Sequence, residues 1–262
     1  MLRLGLVIAT LTAVTLPLIP LQWLSITLRL PSRRAIPVIY HRLVCRLLGV
    51  RIHLRGECVK PPVLIVSNHV SWLDIPVITA LLPAVFVAKR EVASWPLFGL
   101  FAKLQRSVFV DRERRHNTAD ASTEIAARLA EGDPVVLFAE GTSSDGNRVL
   151  AFRSSLLGAA QMAPRPDGTG GIFIQPLSIA YIGLDGFPIG RQHRPLVGWY
   201  GAMDLLPHLG EIIRRGAVDV VVSWGEPIRY NGRADRKATS RAMEVSVRRM
   251  TAAALREPLP VR

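Results

Sequence analysis

From residue 50 onward the chain changes repeatedly between two kinds of apolar pattern. Val50-Arg-Ile-His-Leu-Arg55 alternates apolar and basic residues, the period of a half-exposed strand. Val63–Val66, Val85–Ala88, Ser107–Val110, Pro134–Ala139, Ile172–Tyr181 and Val218–Trp224 are short apolar runs that predict buried strands. Ile75–Leu82 predicts a helix stopped before Pro83, and Trp95–Leu104 a helix entered through Pro96. Thr118–Ala130 predicts an amphipathic helix ending at Gly132, and Arg236–Leu255 a closing helix. Pro164–Gly171 reads as a loop. This alternation predicts an α/β fold: a single sandwich domain over residues 47–262, with a largely parallel sheet flanked by helices. No internal repeat or linker divides it.

The first residues follow another rule. Leu4 to Leu28 run almost without charge, and roughly 20 apolar residues are enough to cross the hydrocarbon core of a bilayer. No small-residue cleavage site ends the run, which argues against a removable signal. A single membrane helix fits its length. A broken or re-entrant element fits Pro17 and Pro20, each of which removes a helix hydrogen bond. Either reading makes residues 1–46 an anchoring segment with a basic flank. That flank holds Arg29, Arg33, Arg34, Arg42 and Arg46, and excess positive charge marks the cytoplasmic side. The expectation is a bacterial-type inner-membrane protein with its α/β domain on the cytoplasmic face.

Composition supports lipid contact: 49% of residues are apolar and the mean hydropathy is +0.27. A net charge of +13 predicts a polyanionic partner. The arginines are dispersed and do not interleave with aromatics, so the expected partner is an anionic membrane and not nucleic acid. Cys45 and Cys58 have no metal or disulfide spacing and are expected to be reduced thiols. No histidine pair has zinc-helix spacing, so no metal is expected.

Two predicted strands run into polar clusters, where open α/β sheets bind ligands. The first cluster is Val66-Ser-Asn-His-Val-Ser-Trp-Leu-Asp74. If His69 precedes the helix and Asp74 opens it, the carboxylate can turn back onto the imidazole. It would then fix the tautomer and free the other nitrogen to take a proton from an alcohol. Helix capping by Asn68 or Ser71 is the plainer alternative. The second cluster, Val135-Val-Leu-Phe-Ala-Glu-Gly-Thr-Ser-Ser-Asp-Gly146, is neither a nucleophile elbow nor a phosphate-binding P-loop. Alone it reads as a strand-to-loop turn whose N–H groups suit an oxyanion or phosphate.

Together the clusters are more specific. Asn68-His-Val-Ser-Trp-Leu-Asp74, then Gln105-Arg-Ser-Val-Phe-Val-Asp-Arg112, Phe138-Ala-Glu-Gly-Thr142 and Ile174-Gln-Pro-Leu-Ser-Ile179 resemble, in order, the four sequence blocks of the glycerolipid acyltransferase family. That family includes the 1-acyl-sn-glycerol-3-phosphate acyltransferases. The resemblance covers about residues 60–182. It implies that His69 is the general base and Asp74 its orienting partner. It implies that Arg112, helped by Lys89, binds the acceptor's phosphate, while Glu140, Gly141 and Thr142 hold its glycerol end. The acyl donor would be acyl-CoA or acyl-carrier protein, with no cofactor and no covalent acyl-enzyme.

Two positions depart from the family pattern. Ala139 stands where proline is common, and Ser143 where an arginine is common. The turn Ser143-Ser-Asp-Gly-Asn-Arg-Val-Leu150 is similar to a bacterial branch that acylates lyso-ornithine lipid, an acceptor without phosphate. The expected function is therefore a membrane-bound O-acyltransferase. Lysophosphatidic acid is the first expectation as acceptor, and lyso-ornithine lipid the alternative. A non-catalytic lipid-binding protein would be expected to lack part of the His/Asp/Glu set, which is complete here.

Overall fold

Successive side chains of a strand face opposite ways, and this chain uses both directions. In a computed structural model, Val63 and Ile65 enter one apolar core while Leu64 and Val66 enter another. The structure describes residues 2–110, 115–154, 157, 172–230 and 235–257. The predicted loop Pro164–Gly171 lies outside these residues.

Among the described residues nine strands form the sheet: β1 (Val50–Arg55), β2 (Val63–Ser67), β3 (Val85–Lys89), β4 (Val108–Val110), β5 (Val135–Phe138), β6 (Ile172–Leu184), β7 (Phe187–Pro188), β8 (Val218–Trp224) and β9 (Ile228–Tyr230). Their order is β1-β8-β6-β2-β5-β3-β4, with β7 and β9 also paired to β6. β2 is parallel to both β5 and β6, and β3 is parallel to β4 and β5. β6 turns the sheet mixed, because β7, β8 and β9 all run antiparallel to it. The strands β2, β5 and β8 are buried at every position, as strands covered on both faces must be.

Seven helices are described: α1 (Leu2–Thr27), α2 (Ser32–Leu48), α3 (Asp74–Leu81), α4 (Phe98–Leu104), α5 (Arg115–Ala130), α6 (Leu205–Arg215) and α7 (Arg236–Ala254). α2, α3 and α6 supply Val44, Leu48, Val77, Ile78, Ile212 and Ile213 to the core on one face. α5 and α7 supply Ile125, Leu129 and Met243 to the core on the other. Seven strands fall within a residue or two of the sequence expectation, except that β6 runs on to Leu184, while the short β7 and β9 were not anticipated. The helices α2 and α6 were not anticipated. In α2, four arginines and Pro37 conceal a helix whose apolar side carries Val44, Cys45 and Leu48.

α1 is one continuous helix, with Pro17 and Pro20 inside it. Its length and hydropathy suit a membrane crossing, and only 6% of its most apolar window is buried in the protein. A turn at Arg29 (φ 53°) folds α2 back along it. Thr15 and Tyr40 share a hydroxyl hydrogen bond of 2.9 Å, and Gln22 donates to the Arg33 carbonyl at 3.0 Å. Both ends of α1 are tied to the α/β domain. Arg3 donates to the carbonyls of Arg215 (2.9 Å) and Leu48 (3.3 Å), and Gln22 donates to that of Leu104 (2.9 Å). The basic flank is partly consumed in this docking. Arg33 pairs with Glu131 at 3.2 Å, Arg34 with buried Asp133 at 2.7 Å, and Arg42 donates to the Ala80 carbonyl at 2.8 Å.

Where β2 stops, Asn68 continues its ladder with a side chain. Its Nδ2 donates to the Ile179 carbonyl and its Oδ1 accepts from the Ile179 N–H, both at 2.9 Å. Asn68 is therefore a buried strand extension and not a helix cap. Asn68→Ala strands two backbone groups in the interior, at roughly 1–3 kcal/mol for each unsatisfied group. Denaturant unfolding in detergent should register a loss of about 2 kcal/mol or more, and a near-neutral result would remove Asn68 from this account.

Candidate active site

β2 and β5 are neighbours with Ser67 paired to Phe138, so the two polar clusters emerge side by side. The Ala139 N–H closes the ladder on the Ser67 carbonyl at 3.0 Å. His69 and Glu140 each stand two residues past their strand's last residue, at the carboxyl edge of the sheet. Parallel pairing thus brings together residues about 70 positions apart in the chain.

α3 begins at Asp74, whose side chain turns back on the segment before it. Its Oδ2 accepts from His69 Nδ1 (2.7 Å), the Val70 N–H (2.7 Å) and the Ser71 N–H (3.1 Å). Its Oδ1 accepts from the Tyr181 hydroxyl at 2.7 Å. A carboxylate only accepts, so in the neutral imidazole Nδ1 carries the proton and Nε2 keeps a lone pair. Asp74 has no exposed surface, whereas the His69 side chain is 19% exposed. The imidazole also lies flat on Phe138, with ring centroids 4.0 Å apart and planes 15° from parallel. Ring plane, tautomer and open edge are all fixed.

Tyr181 escaped the sequence reading, because it falls at the end of an apolar strand run and nothing local marks its hydroxyl. The β6–β8 register shifts between Tyr181 and Gly183, a local irregularity of the kind that re-aims side chains beside active sites. Burial, and then the Asp74 charge, push the Tyr181 phenol well above its usual range, so it keeps its proton and donates.

Glu140 is buried, and its Oε1 accepts from the Leu150 N–H at 3.0 Å. No described residue makes a hydrogen bond to its Oε2. Burial raises its pKa to about 8, the Asp74 charge adds to this, and the nearby N–H groups of Leu150 and His69 oppose it. Gly141 follows at φ 76°, a left-handed turn that suits glycine. Thr142 is exposed beside it. Lys89 is exposed at the end of β3, and no contact among the described residues joins it to His69 or Glu140. Arg112 lies outside the described residues. The site gathered here is therefore His69, Asp74, Tyr181 and Glu140, edged by Gly141 and Thr142. Among the described residues no group of acidic, cysteine and histidine side chains could hold a metal ion.

The Glu140 environment sets a pH dependence. Folding raises this carboxyl from an ordinary value of 4.5 to about 8, so the folded state holds its proton more tightly than the unfolded state does. Its contribution to stability is complete below about 4.5 and is lost as pH rises through about 8. Wild type should therefore lose stability relative to Glu140→Gln across that window, and the gap should level off above it. Parallel unfolding curves at each pH would remove the buried, protonated carboxyl from the site.

The acyltransferase family model matches residues 50–180, the segment that carries these clusters. A lyso-ornithine lipid O-acyltransferase of Brucella abortus is 49% identical over 254 residues, covering 97% of this chain and 95% of the relative. One from Rhizobium meliloti is 47% identical over 247 residues, covering 94% and 85%. Among solved structures, the 1-acyl-sn-glycerophosphate acyltransferase of Thermotoga maritima has the same fold. Its TM-score is 0.61 at 20% identity, over 85% of this chain and 80% of that one. The chain belongs to the acyltransferase family and is an acyltransferase.

Proposed function

We propose that this protein is a membrane-bound lyso-ornithine lipid O-acyltransferase with His69 as its general base. The observation that carries the chemistry is the His69–Asp74 pair, with Nδ1 bound at 2.7 Å and Nε2 left at the open edge. Nε2 takes the proton of the acceptor's hydroxyl as its oxygen attacks the thioester carbonyl of the donor. The new C–O bond forms, the C–S bond breaks, and the imidazolium returns the proton to the leaving thiolate. Asp74 stabilises the imidazolium in between. The donor is acyl-CoA or acyl-carrier protein; both present the same thioester.

The acceptor is reassigned relative to the sequence expectation, which ranked lysophosphatidic acid first. Two relatives matching over nearly the whole chain are lyso-ornithine lipid enzymes. The likeness to the Thermotoga enzyme supports the fold alone. Ser143, where an arginine is common, also favours an acceptor without phosphate. Glu140, Gly141 and Thr142 hold the acceptor beside His69. The resemblance also assigns Arg112 and Lys89 to substrate binding, at the acceptor's headgroup or the donor. Residues 1–46 act as the anchor, with the apolar face of α1 in lipid and the catalytic domain on the cytoplasmic side of the inner membrane.

Purified protein should acylate lyso-ornithine lipid in preference to lysophosphatidic acid when given labelled acyl donor. His69→Ala should reduce turnover by at least about 10²-fold, the lower range for a lost general base. Near-normal turnover in that variant refutes the mechanism, and exclusive use of lysophosphatidic acid refutes the acceptor alone.

In fractionated cells the protein should stay with membranes through a high-salt wash, because burial of α1 is not screened by salt. Release by salt would show that charge alone holds it.

A further inference from the structure

The turn after Glu140-Gly141-Thr142 folds back onto the histidine. Ser144 donates to the His69 carbonyl through its N–H (2.9 Å) and its hydroxyl (3.2 Å). A second segment joins it there, with the Trp199 N–H donating to the Val70 carbonyl at 2.9 Å. The two segments also meet each other. A side chain at Gly198 would come within 3.2 Å of the Ser144 carbonyl oxygen, and one at Gly146 within 3.9 Å of the Arg194 side chain as well as 3.0 Å of Val70. Residues 144–147 and 194–199 therefore form one wall anchored to the backbone of His69 and Val70.

This wall carries opposite charges that do not pair. Asp145 Oδ1 accepts from the Asn147 N–H at 3.0 Å, and its Oδ2 accepts from Asn147 Nδ2 at 3.1 Å. On the other side of the same amide, Asn147 Oδ1 accepts from Arg194 Nη1 at 3.1 Å. A carboxylate and a guanidinium this close ordinarily form a direct, often bidentate pair. Here the Asn147 amide stands between them. Arg194 forms no ion pair with a described residue, and its shielded Nε has no partner there either. Five donors on a guanidinium leave most of this one uncommitted.

We propose that Asp145 and Arg194, spaced by Asn147, form the headgroup site for a zwitterionic amino-acid acceptor, with its ammonium on Asp145 and its carboxylate on Arg194. This rests on the lyso-ornithine lipid reading, since ornithine offers both charges and no phosphate. Burial would raise the Asp145 pKa, but the Asn147 donors and the charges of Arg148 and Arg191 outweigh it and keep the carboxyl below its ordinary range. Burial and then the Arg191 charge act against the Arg194 cation, with Asp145 opposing them, so a bound carboxylate relieves that strain.

Three acceptors test this: lyso-ornithine lipid, its carboxyl methyl ester and its side-chain N-acetyl derivative. Each is assayed with full-length wild type, Asp145→Asn and Arg194→Gln in detergent. Wild type should show KM raised roughly tenfold or more for either blocked acceptor, as expected for the loss of one charge-assisted contact. Arg194→Gln should stop distinguishing acid from ester yet still prefer the free amine. Asp145→Asn should do the reverse. The discrimination that each variant retains reports that it is folded. Variants that keep both wild-type preferences overturn the headgroup site and leave the acceptor assignment standing. Wild type that ignores lyso-ornithine lipid overturns the acceptor assignment itself, and this proposal with it.

Discussion

A carboxylate taken wholly out of water must find hydrogen-bond donors on every side, and the site is organised around meeting that demand for Asp74. The donors come from three places: the imidazole, the turn at Val70 and Ser71, and the hydroxyl of Tyr181 on β6. The residues between β2 and α3 therefore have one conformation that works. Asn68 enforces the same geometry from the strand side by gripping Ile179, two residues before Tyr181. β6 is thus the fixed neighbour against which the histidine is set.

The sheet order brings the second cluster to the same place. β5 lies against β2 on the side away from β6, so the histidine segment is flanked by Glu140 on one hand and Tyr181 on the other. Phe138, the last residue of β5, closes the remaining side of the imidazole and stacks in turn near Phe86. At the opposite end of the molecule, Asp133 draws Arg34 and Arg106 together and binds the α1–α2 turn to the domain. The helical hairpin is docked by specific polar contacts, not merely attached by a linker.

The sequence made the repetitive parts legible. Apolar runs of strand length bounded by turns gave the strands, and the carboxyl ends of two of them gave His69, Asp74 and Glu140. Contacts without local periodicity stayed hidden. Tyr181 lies 107 residues from Asp74 and belongs to an unbroken apolar stretch, so only the fold shows where its hydroxyl goes. The arginines of α2 resembled a membrane flank because charge is visible in a sequence and its partners are not. Three of the five in that flank turn out to hold the domain. The segment around residues 190–203 carries no recognised motif, yet it reaches the backbone of Val70.

The stacking of His69 on Phe138 bears on the order of events in catalysis. An imidazole pinned on its face and committed to Asp74 through Nδ1 cannot swing between two partners. For a base so held, a proton accepted at Nε2 can depart only from Nε2. The attacking oxygen and the departing sulfur must then visit the same edge of one ring within a single turnover. Under the direct transfer proposed above, in which the acceptor's oxygen attacks the thioester itself, both substrates are on the enzyme together, and double-reciprocal plots should intersect instead of running parallel.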